Sequence, residues 1–444
     1  MPQHAQGDAA EAARARLLDG RAHQGPADAP AAGLLGDAEA ADVPDVGVGG
    51  QRGGEAQADV ADDTAVEFGD QVVLGAGGVA EEGLVRGGRA GHRVDVRPDR
   101  AVQAAQRLLV LGTGGAQGRF RHAGHPTRGT PASHRGFPGV RGQDEAMQRS
   151  RIAVAGASGL IGGALVRSLV ADGHDVVRLV RRAPRSAGEA RWDPGRRHVD
   201  PAVLAGCDAV VNLAGAGVGD RRWTAAYKAR IRSSRVDGTA ALARAVASLD
   251  RPPRVFLNGS AIGIYGDTGD RPVDEDSPPG SGFLPELCVE WERAAAPAAE
   301  AGVRTVFART GLVVSRRGGA WGRLFPVFKA GLGGPLGDGR QYWSYIALHD
   351  EVAALRHLLD RADLSGPFNL TAPEPLTNRE IAAAMGRVLH RPAVFAVPAP
   401  VLRTVLGELA GDVLGSQRVL PGRLLESGFR FAFPGIEEAI RAAL

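Results

Sequence analysis

Between residues 147 and 444, short apolar runs alternate with longer stretches in which apolar residues recur at helical spacing. The runs with the length of buried strands are Ile152–Ala155, Val176–Val180, Ala209–Leu213, Val255–Leu257 and Thr305–Ala308. Leu160–Val170 and Val236–Leu249 have the helical pattern, and a capping box at Thr377–Glu380 opens a further helix toward Leu389. This order predicts an α/β protein with a doubly wound, mostly parallel sheet.

Residues 1–146 differ in composition from the remainder of the chain. They contain no Ile, Lys, Asn, Tyr, Trp or Cys, and their only aromatic residues are Phe68, Phe120 and Phe137. Burial of so few bulky groups offsets little of the entropy lost on ordering, which predicts disorder. The missing residue types are largely those with AT-rich codons. This favours a second interpretation, in which the segment is GC-rich upstream sequence and Met147 is the practical start.

Charge and composition exclude several classes of partner. The formal net charge is +3, and no apolar run approaches the ~18 residues of a membrane span, so neither nucleic acid nor a membrane is an expected partner. The only cysteines, Cys207 and Cys288, make no disulfide framework, which predicts a cytoplasmic protein. No residues have the spacing of metal ligands, so we expect no bound metal. The expected partner is a small-molecule substrate.

A glycine-rich turn joins the first predicted strand to the first predicted helix. Its G-x-x-G-x-x-G spacing lies within a strand–helix–strand unit of about 30 residues, the setting of a dinucleotide-binding turn. The glycines allow a tight turn, close approach of a pyrophosphate and close packing of helix on strand, and the helix N-terminus attracts phosphate. The residues predicted to bind the dinucleotide here are Gly156, Ser158, Gly159, Leu160, Ile161 and Gly162.

The end of the second predicted strand indicates which dinucleotide binds. NAD sites usually place a carboxylate there to accept from the ribose 2′-hydroxyl. Here Val176–Val180 is followed by Arg181 and Arg182, and no carboxylate occurs until Glu189. A guanidinium suits a 2′-phosphate, so the sequence predicts NADP(H), with a solvated basic turn as the alternative.

Several longer strings follow one another in a characteristic order. They are "VAGASGLIG", "VVNLAGAGVGDRRW", "AIGIYGD", "ARTGLVV", "GLGGPLGDGRQYWSYIALHDEV" and "SQRVLPGRLLESGF". Over Met147–Leu444 the chain resembles an epimerase-like family, an atypical branch of the extended short-chain dehydrogenase/reductase superfamily with a small C-terminal domain of unknown function. The resemblance implies a Rossmann-type NADP-binding domain at 147–320 and a substrate-side and C-terminal α/β domain at 321–444, interleaved with the sheet.

The resemblance also implies further cofactor contacts beyond the glycine turn. They are Val180 and Arg181 at the adenosine 2′-phosphate, Leu213, Ala214 and Gly215 along the adenine ribose and pyrophosphate, Arg235 on a helix face turned toward the cofactor, and Val313 at the nicotinamide end. Ordinary core packing is the alternative role for Val180, Leu213 and Val313. The wider superfamily usually has Asn in place of Arg235.

The usual catalytic pair of the superfamily is absent. It is Tyr-x-x-x-Lys on one helix, where the ammonium lowers the pKa of the phenol. The only lysines are Lys228 and Lys329, and neither follows a tyrosine at that spacing. In "LCVEWERAA", Cys288 stands where the Tyr is expected and Glu292 where the Lys is expected, which exchanges a cation for a carboxylate.

Other side chains are candidates to move a proton in place of that pair. We predict catalytic roles for Ser260, Tyr265 and Cys288, and Glu290 or Glu292 could act as acid or base if desolvated. The alternative is structural in each case: core packing for Tyr265 and Cys288, and a solvated carboxylate for Glu292.

The segment Gly331–Ile346 is the predicted substrate rim. It has five glycines before Arg340, and Arg340, Gln341, Trp343 and Tyr345 would then supply a charge and aromatic faces. In extended relatives the matching segment contacts a nucleotide-sugar; an exposed connection to the C-terminal domain is the alternative. Two functions therefore stay open: an NADP-dependent oxidoreductase or epimerase with an altered proton relay, and a non-catalytic NADP(H)-binding protein.

Overall fold

The computed structural model describes residues 149–444. Its strands are β1 (Arg151–Ala155), β2 (Asp175–Val180), β3 (Glu189–Arg191), β4 (Ala209–Asn212), β5 (Val255–Ala261), β6 (Arg304–Thr310), β7 (Leu312–Val314), β8 (Tyr342–Trp343), β9 (Tyr345–Ala347), β10 (Gly366–Leu370) and β11 (Leu376–Thr377). Its α-helices are α1 (Leu160–Ala171), α2 (Ala225–Ala247), α3 (Phe283–Arg293), α4 (Ala296–Glu300), α5 (Gly319–Lys329), α6 (Leu348–Asp360), α7 (Asn378–Leu389), α8 (Ala399–Leu406), α9 (Leu409–Leu414), α10 (Gly422–Glu426) and α11 (Ile436–Ala442).

Seven strands form one parallel sheet in the order β10-β6-β5-β4-β1-β2-β3. The strand order reverses between β1 and β4, so the chain leaves these two neighbouring strands in opposite directions. In sheets of this kind, ligands bind in the crevice at the carboxyl ends of the strands beside such a reversal. The predicted α/β fold with a doubly wound parallel sheet is confirmed.

The two faces of the sheet are covered by different helices. Along β1, Ile152 and Val154 face a cluster that includes Leu165 of α1, whereas Ala153 faces a second cluster that includes Leu242 of α2. Successive side chains of a strand point to opposite faces. A strand that is apolar at every position is therefore buried on both sides, as the uninterrupted apolar run predicts.

Several boundaries differ from the prediction. The helix predicted at Val236–Leu249 begins at Ala225, where Thr224 caps it by accepting from the main-chain N–H of Tyr227. Its first half is largely polar, so apolar spacing did not reveal it. β3 and β10 were not predicted, because edge strands with exposed or polar positions lack the continuous apolar signal of central strands.

The predicted capping box is confirmed. The side chain of Thr377 accepts from the N–H of Glu380, and the Glu380 carboxylate accepts from the N–H of Thr377. The helix then runs to Leu389, as predicted.

The C-terminal part of the chain has a hydrophobic cluster of its own. Trp321 of α5, Tyr345 of β9, Met385 of α7 and Ile440 of α11 all belong to it. The same part of the chain also returns β10 to the edge of the seven-stranded sheet.

No helix within residues 149–444 combines the length and apolar character needed to cross a membrane. Residues 1–146 and Met147 lie outside the described residues, and so do the two interpretations that concern them.

Candidate functional site

The glycine turn lies at the carboxyl end of β1. Because its glycines have no side chain, main-chain atoms of neighbouring residues can approach them closely. Gly156 has φ of +79°, and a Cβ there would lie 2.5 Å from the carbonyl oxygen of Leu213. A Cβ on Gly162 would collide with the carbonyl oxygen of Gly156, while Gly159 donates its N–H to that oxygen at 2.9 Å. Turn, helix and the end of β4 therefore approach more closely than any larger residue allows.

The N-terminus of α1 has donors to offer at this turn. Gly159 is its N-cap and provides no side-chain cap, and Ser158 is exposed beside it. The first N–H groups of a helix lack partners inside the helix, and they carry a partial positive charge. The turn thus has the shape and the polarity of a phosphate-binding site.

At the end of β2 the two arginines have different environments. Arg182 forms a bidentate pair with Glu189, at 2.7 and 2.8 Å, and this contact holds the pKa of Glu189 at about 2. Within residues 149–444, no carboxylate pairs with Arg181, which is exposed. The nearby carboxylate is therefore already engaged, and Arg181 keeps its charge free.

The other predicted cofactor residues surround the same edge of the sheet. Val180 ends β2, and Leu213 and Ala214 are half-buried just beyond β4. Val313 is buried in β7, paired with Ile346 of β9. The arrangement brings these positions to the carboxyl edge, but for Val313 the side chain is part of the core.

Arg235 of α2 is half-buried and lies against Gly215. A Cβ on Gly215 would lie 3.0 Å from the guanidinium carbon of Arg235. One nitrogen, Nη1, donates to the carbonyl oxygen of Ala216 at 2.9 Å, and the guanidinium lies 5.1 Å from the ring centre of Trp291. The turn after β4 and the helix α3 therefore hold this cation between them.

The most extensive polar network of the site centres on Glu292 and Arg309. Arg309 of β6 donates to both carboxylate oxygens of Glu292, from Nε at 2.9 Å and from Nη2 at 3.0 Å. Ser260 donates its hydroxyl to the same carboxylate at 2.6 Å. Arg309 also donates to the hydroxyl of Tyr265 at 2.9 Å, and Tyr265 donates to Asn369 of β10 at 2.8 Å. Helix α3 is thereby tied to three strands.

This network changes what the predicted catalytic residues can do. Burial raises the pKa of Tyr265 to about 12 despite the neighbouring Arg309. Burial and the Glu292 carboxylate raise the pKa of Cys288 to about 12 as well. Full burial of Cys288 on α3 therefore keeps its thiol protonated at neutral pH. Ser260, Tyr265 and Cys288 are brought to one region, but each is already engaged or enclosed.

Comparison with known proteins places this geometry in a family. Residues 152–370 match the NAD-dependent epimerase/dehydratase family, and residues 397–443 match a domain of unknown function, DUF1731. An epimerase family protein of Mycobacterium bovis is 46% identical over 295 residues, which are 66% of this chain and 97% of that protein. The chain belongs to the NAD-dependent epimerase/dehydratase family.

Two solved structures resemble the fold of this family member. The crystal structure of the human epimerase family protein SDR39U1 (isoform 2) with NADPH is 34% identical, with a TM-score of 0.62, and the match covers 66% of this chain and 99% of the human one. A nucleoside-diphosphate sugar epimerase from Corynebacterium glutamicum is 35% identical, with a TM-score of 0.56, over 67% of this chain and 58% of the other.

The residues predicted as a substrate rim do not lie together on a surface. Arg340 is exposed, but Gln341, Trp343 and Tyr345 are buried. Gln341 donates to the carbonyl oxygen of Leu336 at 3.0 Å, and the other two bond to main-chain carbonyls of the C-terminal segment. They hold β8 and β9 against that segment, so of the four only Arg340 is available to a ligand in this conformation.

Sequence reasoning missed two residues of this hydrogen-bond network, Arg309 and Asn369. Arg309 lies within the quoted string "ARTGLVV", yet nothing in the local pattern reveals that its partner is Glu292. Asn369 lies on β10, which was not predicted. Within the described part of the chain, no group of three or more His, Cys, Asp or Glu residues is arranged to hold a metal ion.

Proposed function

We propose that this protein binds NADP(H) at the carboxyl edge of its sheet and acts as an oxidoreductase or epimerase on a small carbonyl compound or a nucleotide-sugar. The cofactor preference rests on the contrast between two arginines at the end of β2. Arg182 is paired with Glu189, whereas no carboxylate among residues 149–444 pairs with Arg181. A free guanidinium at the end of β2 suits a 2′-phosphate. The one carboxylate nearby is held by Arg182 and does not compete for a ribose hydroxyl.

The residues present fit the cofactor. The uncapped N-terminus of α1, which the tight turn at Gly156 sets at the carboxyl end of β1, suits the pyrophosphate. Leu213, Ala214 and Gly215 would then lie along the ribose and pyrophosphate, and Val313 toward the nicotinamide. The related human structure contains NADPH, which supports the same choice here.

NADP(H) supplies hydride transfer when bound. The chain's own part is to position a substrate and handle a proton beside the Glu292–Arg309 network. Of the three candidates, Ser260 has a hydroxyl at 2.6 Å from a carboxylate, and Tyr265 is held between Arg309 and Asn369. Ser260 and Tyr265 are therefore the residues that we assign to this step. Cys288 is the weaker assignment, because its thiol takes no part in these hydrogen bonds, whereas burial raises the pKa of Tyr265 and Cys288 alike.

A non-catalytic NADP(H)-binding protein is the second candidate function. It is favoured because Ser260, Glu292 and Tyr265 all make their hydrogen bonds to other residues of the protein, which leaves fewer donors and acceptors for a substrate. In either case we propose a cytoplasmic protein whose partner is a small molecule, with no role for nucleic acid or membrane.

The cofactor assignment is tested by titrating NADPH and NADH into the wild type and Arg181→Ala. Loss of a charge-assisted phosphate contact is expected to weaken NADPH binding about ten- to a hundredfold and to leave NADH binding unchanged. Arg244→Ala is the matched control, because it removes the same charge from an exposed position on α2. Equal affinity of the wild type for both cofactors, or an unchanged preference in Arg181→Ala, would contradict the assignment.

The choice between the two functions needs a turnover measurement. NADPH oxidation by the wild type is followed with carbonyl compounds and nucleotide-sugars, and any active substrate is then tested with Ser260→Ala and Tyr265→Phe. A fall in kcat of about a hundredfold is what loss of general acid–base catalysis leaves. Tight NADPH binding without turnover on any of these substrates would favour the non-catalytic function.

A further inference from the structure

A cleft of about 780 Å³ lies on the side of the sheet that α1 and α6 cover. Its walls are formed by α1, α6 and α11 and by the residues that follow β7 and β9. None of the residues that we assign to the cofactor, to the Glu292–Arg309 network or to the predicted substrate rim lines it. Small-molecule sites in proteins are typically clefts of this volume. The cleft is therefore a second site with the size that a small molecule needs.

The cleft follows one face of α6 along the whole helix. His349, Ala353, Arg356 and Asp360 are among the residues that line it, and separations of three or four residues are those of neighbours on a helical surface. Because an α-helix rises 1.5 Å per residue, His349 and Asp360 are about 16 Å apart along the helix. The cleft is therefore long enough for an extended, chain-like molecule.

Small apolar side chains create much of the space in the cleft. Ala164 of α1, Ala353 of α6 and Ala439 of α11 line it, and so do Val314 and Ala347, the last residues of β7 and β9. A larger side chain at any of the three helical positions would fill part of the space between the helices. Contact with these residues removes the apolar surface of a ligand from water, which favours binding.

Two arginines without carboxylate partners lie at one end of the cleft. Arg316 and Arg317 follow β7, whose last residue Val314 pairs with Ala347 directly before α6 begins. Both arginines line the cleft and are exposed. Ser315 accepts from the main-chain N–H of Arg317 at 3.1 Å, which orders the turn. In the described part of the chain, no carboxylate forms an ion pair with either arginine.

The other titratable groups that line the cleft are His349, Arg356, His357 and Asp360. Three of them have contacts within the protein: His349 with Asp350, Arg356 with Asp172, and His357 with Ser427. Burial lowers the pKa of His357, which is therefore neutral near pH 7. Asp360 lies in the last turn of α6, at the opposite end from the two arginines. The unpaired positive charge is thus concentrated where α6 begins.

We propose that this cleft binds a single small molecule that carries an anionic group on an apolar chain. The anionic group, a carboxylate or a phosphate, is held by Arg316 and Arg317, and the chain lies along α6. Guanidinium groups bind both anions through charge-assisted hydrogen bonds. This site is distinct from the cofactor site and does not depend on the proposed function. A free molecule and a membrane lipid share this chemistry, and the experiment separates the two sources.

Isothermal titration calorimetry of the full chain, with and without saturating NADPH, measures binding of octanoate, octyl phosphate, acetate and 1-octanol. The titrations stay below the concentrations at which the amphiphiles form micelles. We expect saturable binding of octanoate or octyl phosphate, about tenfold or more tighter than that of acetate and 1-octanol, because the site uses both charge and apolar contact. We expect NADPH to change this affinity less than about threefold.

The first pair of variants tests the apolar part of the cleft. Ala353→Leu fills the space beside α6, and Ala226→Leu at an exposed position on α2 is the matched control. We expect Ala353→Leu to weaken binding of the octyl anion about tenfold or more and the control to leave it unchanged. Ala442→Leu, at an exposed cleft position on α11, keeps the test valid if Ala353→Leu does not fold.

The second pair of variants tests the charged end. The double variant Arg316→Gln, Arg317→Gln removes both cations, and Arg244→Gln on α2 is the control for loss of an exposed arginine. We expect the double variant to bind the octyl anion about tenfold or more weakly and to bind 1-octanol as the wild type does. Thermal midpoints measured without ligand show which variants are folded.

Three results would overturn the proposal. The first is a wild type that binds neither octanoate nor octyl phosphate saturably. The second is an affinity for the octyl anion that the cleft variants leave unchanged, or that saturating NADPH lowers about tenfold or more, since either would place the molecule elsewhere. The third is cosedimentation with vesicles of phosphatidylcholine and phosphatidylglycerol without binding of the free anions, which would assign the arginines to a membrane surface.

Discussion

At the scale of single residues, Glu351 shows most directly what burial does to a charge. It lies in the first turn of α6 and is fully buried, and it accepts from the hydroxyl of Thr310 at 2.8 Å, while its second oxygen has no partner. Burial raises the pKa of Glu351 from 4.5 to about 8. The carboxyl is therefore protonated in the folded protein at neutral pH.

This pKa makes folding stability depend on pH in a definite direction. An unfolded chain loses this proton near pH 4.5, so between about pH 4.5 and pH 8 the folded state binds more protons than the unfolded state. Stability from this group is therefore lost as the pH rises through that interval. Glu351→Gln keeps an acceptor for Thr310 and removes the ionisation, so it should stabilise the protein increasingly as the pH rises.

We expect the stability of Glu351→Gln relative to the wild type to increase by roughly 3 kcal/mol between pH 5 and pH 7. Urea unfolding at a series of pH values measures this difference. Glu300→Gln at an exposed position is the control, and its curve should run parallel to that of the wild type. Parallel curves for Glu351→Gln would show that Glu351 is ionised in the folded protein.

At the scale of elements, helix α3 is held to the sheet by charge as well as by apolar packing. Glu292 and Arg309 have side chains that are only 14% and 9% exposed. Glu290, two residues earlier on the same helix, pairs with Arg232 at a position where both side chains are about 40% exposed. The two pairs offer a matched comparison of a buried and an exposed ion pair.

Glu292→Gln should lower the free energy of unfolding by about 3 kcal/mol or more, because it leaves the buried Arg309 without its charge partner. Glu290→Gln should cost at most about 1 kcal/mol, as is usual for an exposed pair. Chemical denaturation of both variants measures the difference. The double variant Glu292→Gln, Arg309→Met should recover part of the lost stability, since it removes the unpaired cation. Similar losses of stability in Glu290→Gln and Glu292→Gln would refute this account of the ion pair.

At the scale of the whole molecule, the composition break near Met147 leads to a deletion experiment. The sheet, its two covering layers and the candidate site are all formed by residues after 149. We expect Met147–Leu444 to melt within about 2 °C of the full chain, which is about the change that ~1 kcal/mol would produce in a domain of this size. Differential scanning calorimetry of both proteins, with and without NADPH, provides the measurement. A loss of several degrees on deletion would show that residues 1–146 contribute to the stability of the domain.

The features that the sequence determined by itself rest on contacts between residues close in the chain. The spacing of Gly156, Gly159 and Gly162 predicted a strand–turn–helix unit, and the capping box at Thr377–Glu380 predicted a helix start, because both depend on a few consecutive residues. The order of apolar runs then predicted the parallel sheet, since strands buried on both faces read as continuous apolar segments.

Only the tertiary structure decided which side chains meet across the sheet. Glu292 and Arg309 lie on different elements, and so do Tyr265 and Asn369; no local pattern encodes such a pairing. The same reason explains the segment Gly331–Ile346, where a substrate rim was predicted and Trp343 was instead enclosed by the C-terminal segment. Local sequence limits the backbone of each element, but the charge, burial and partners of a side chain depend on the elements that pack around it.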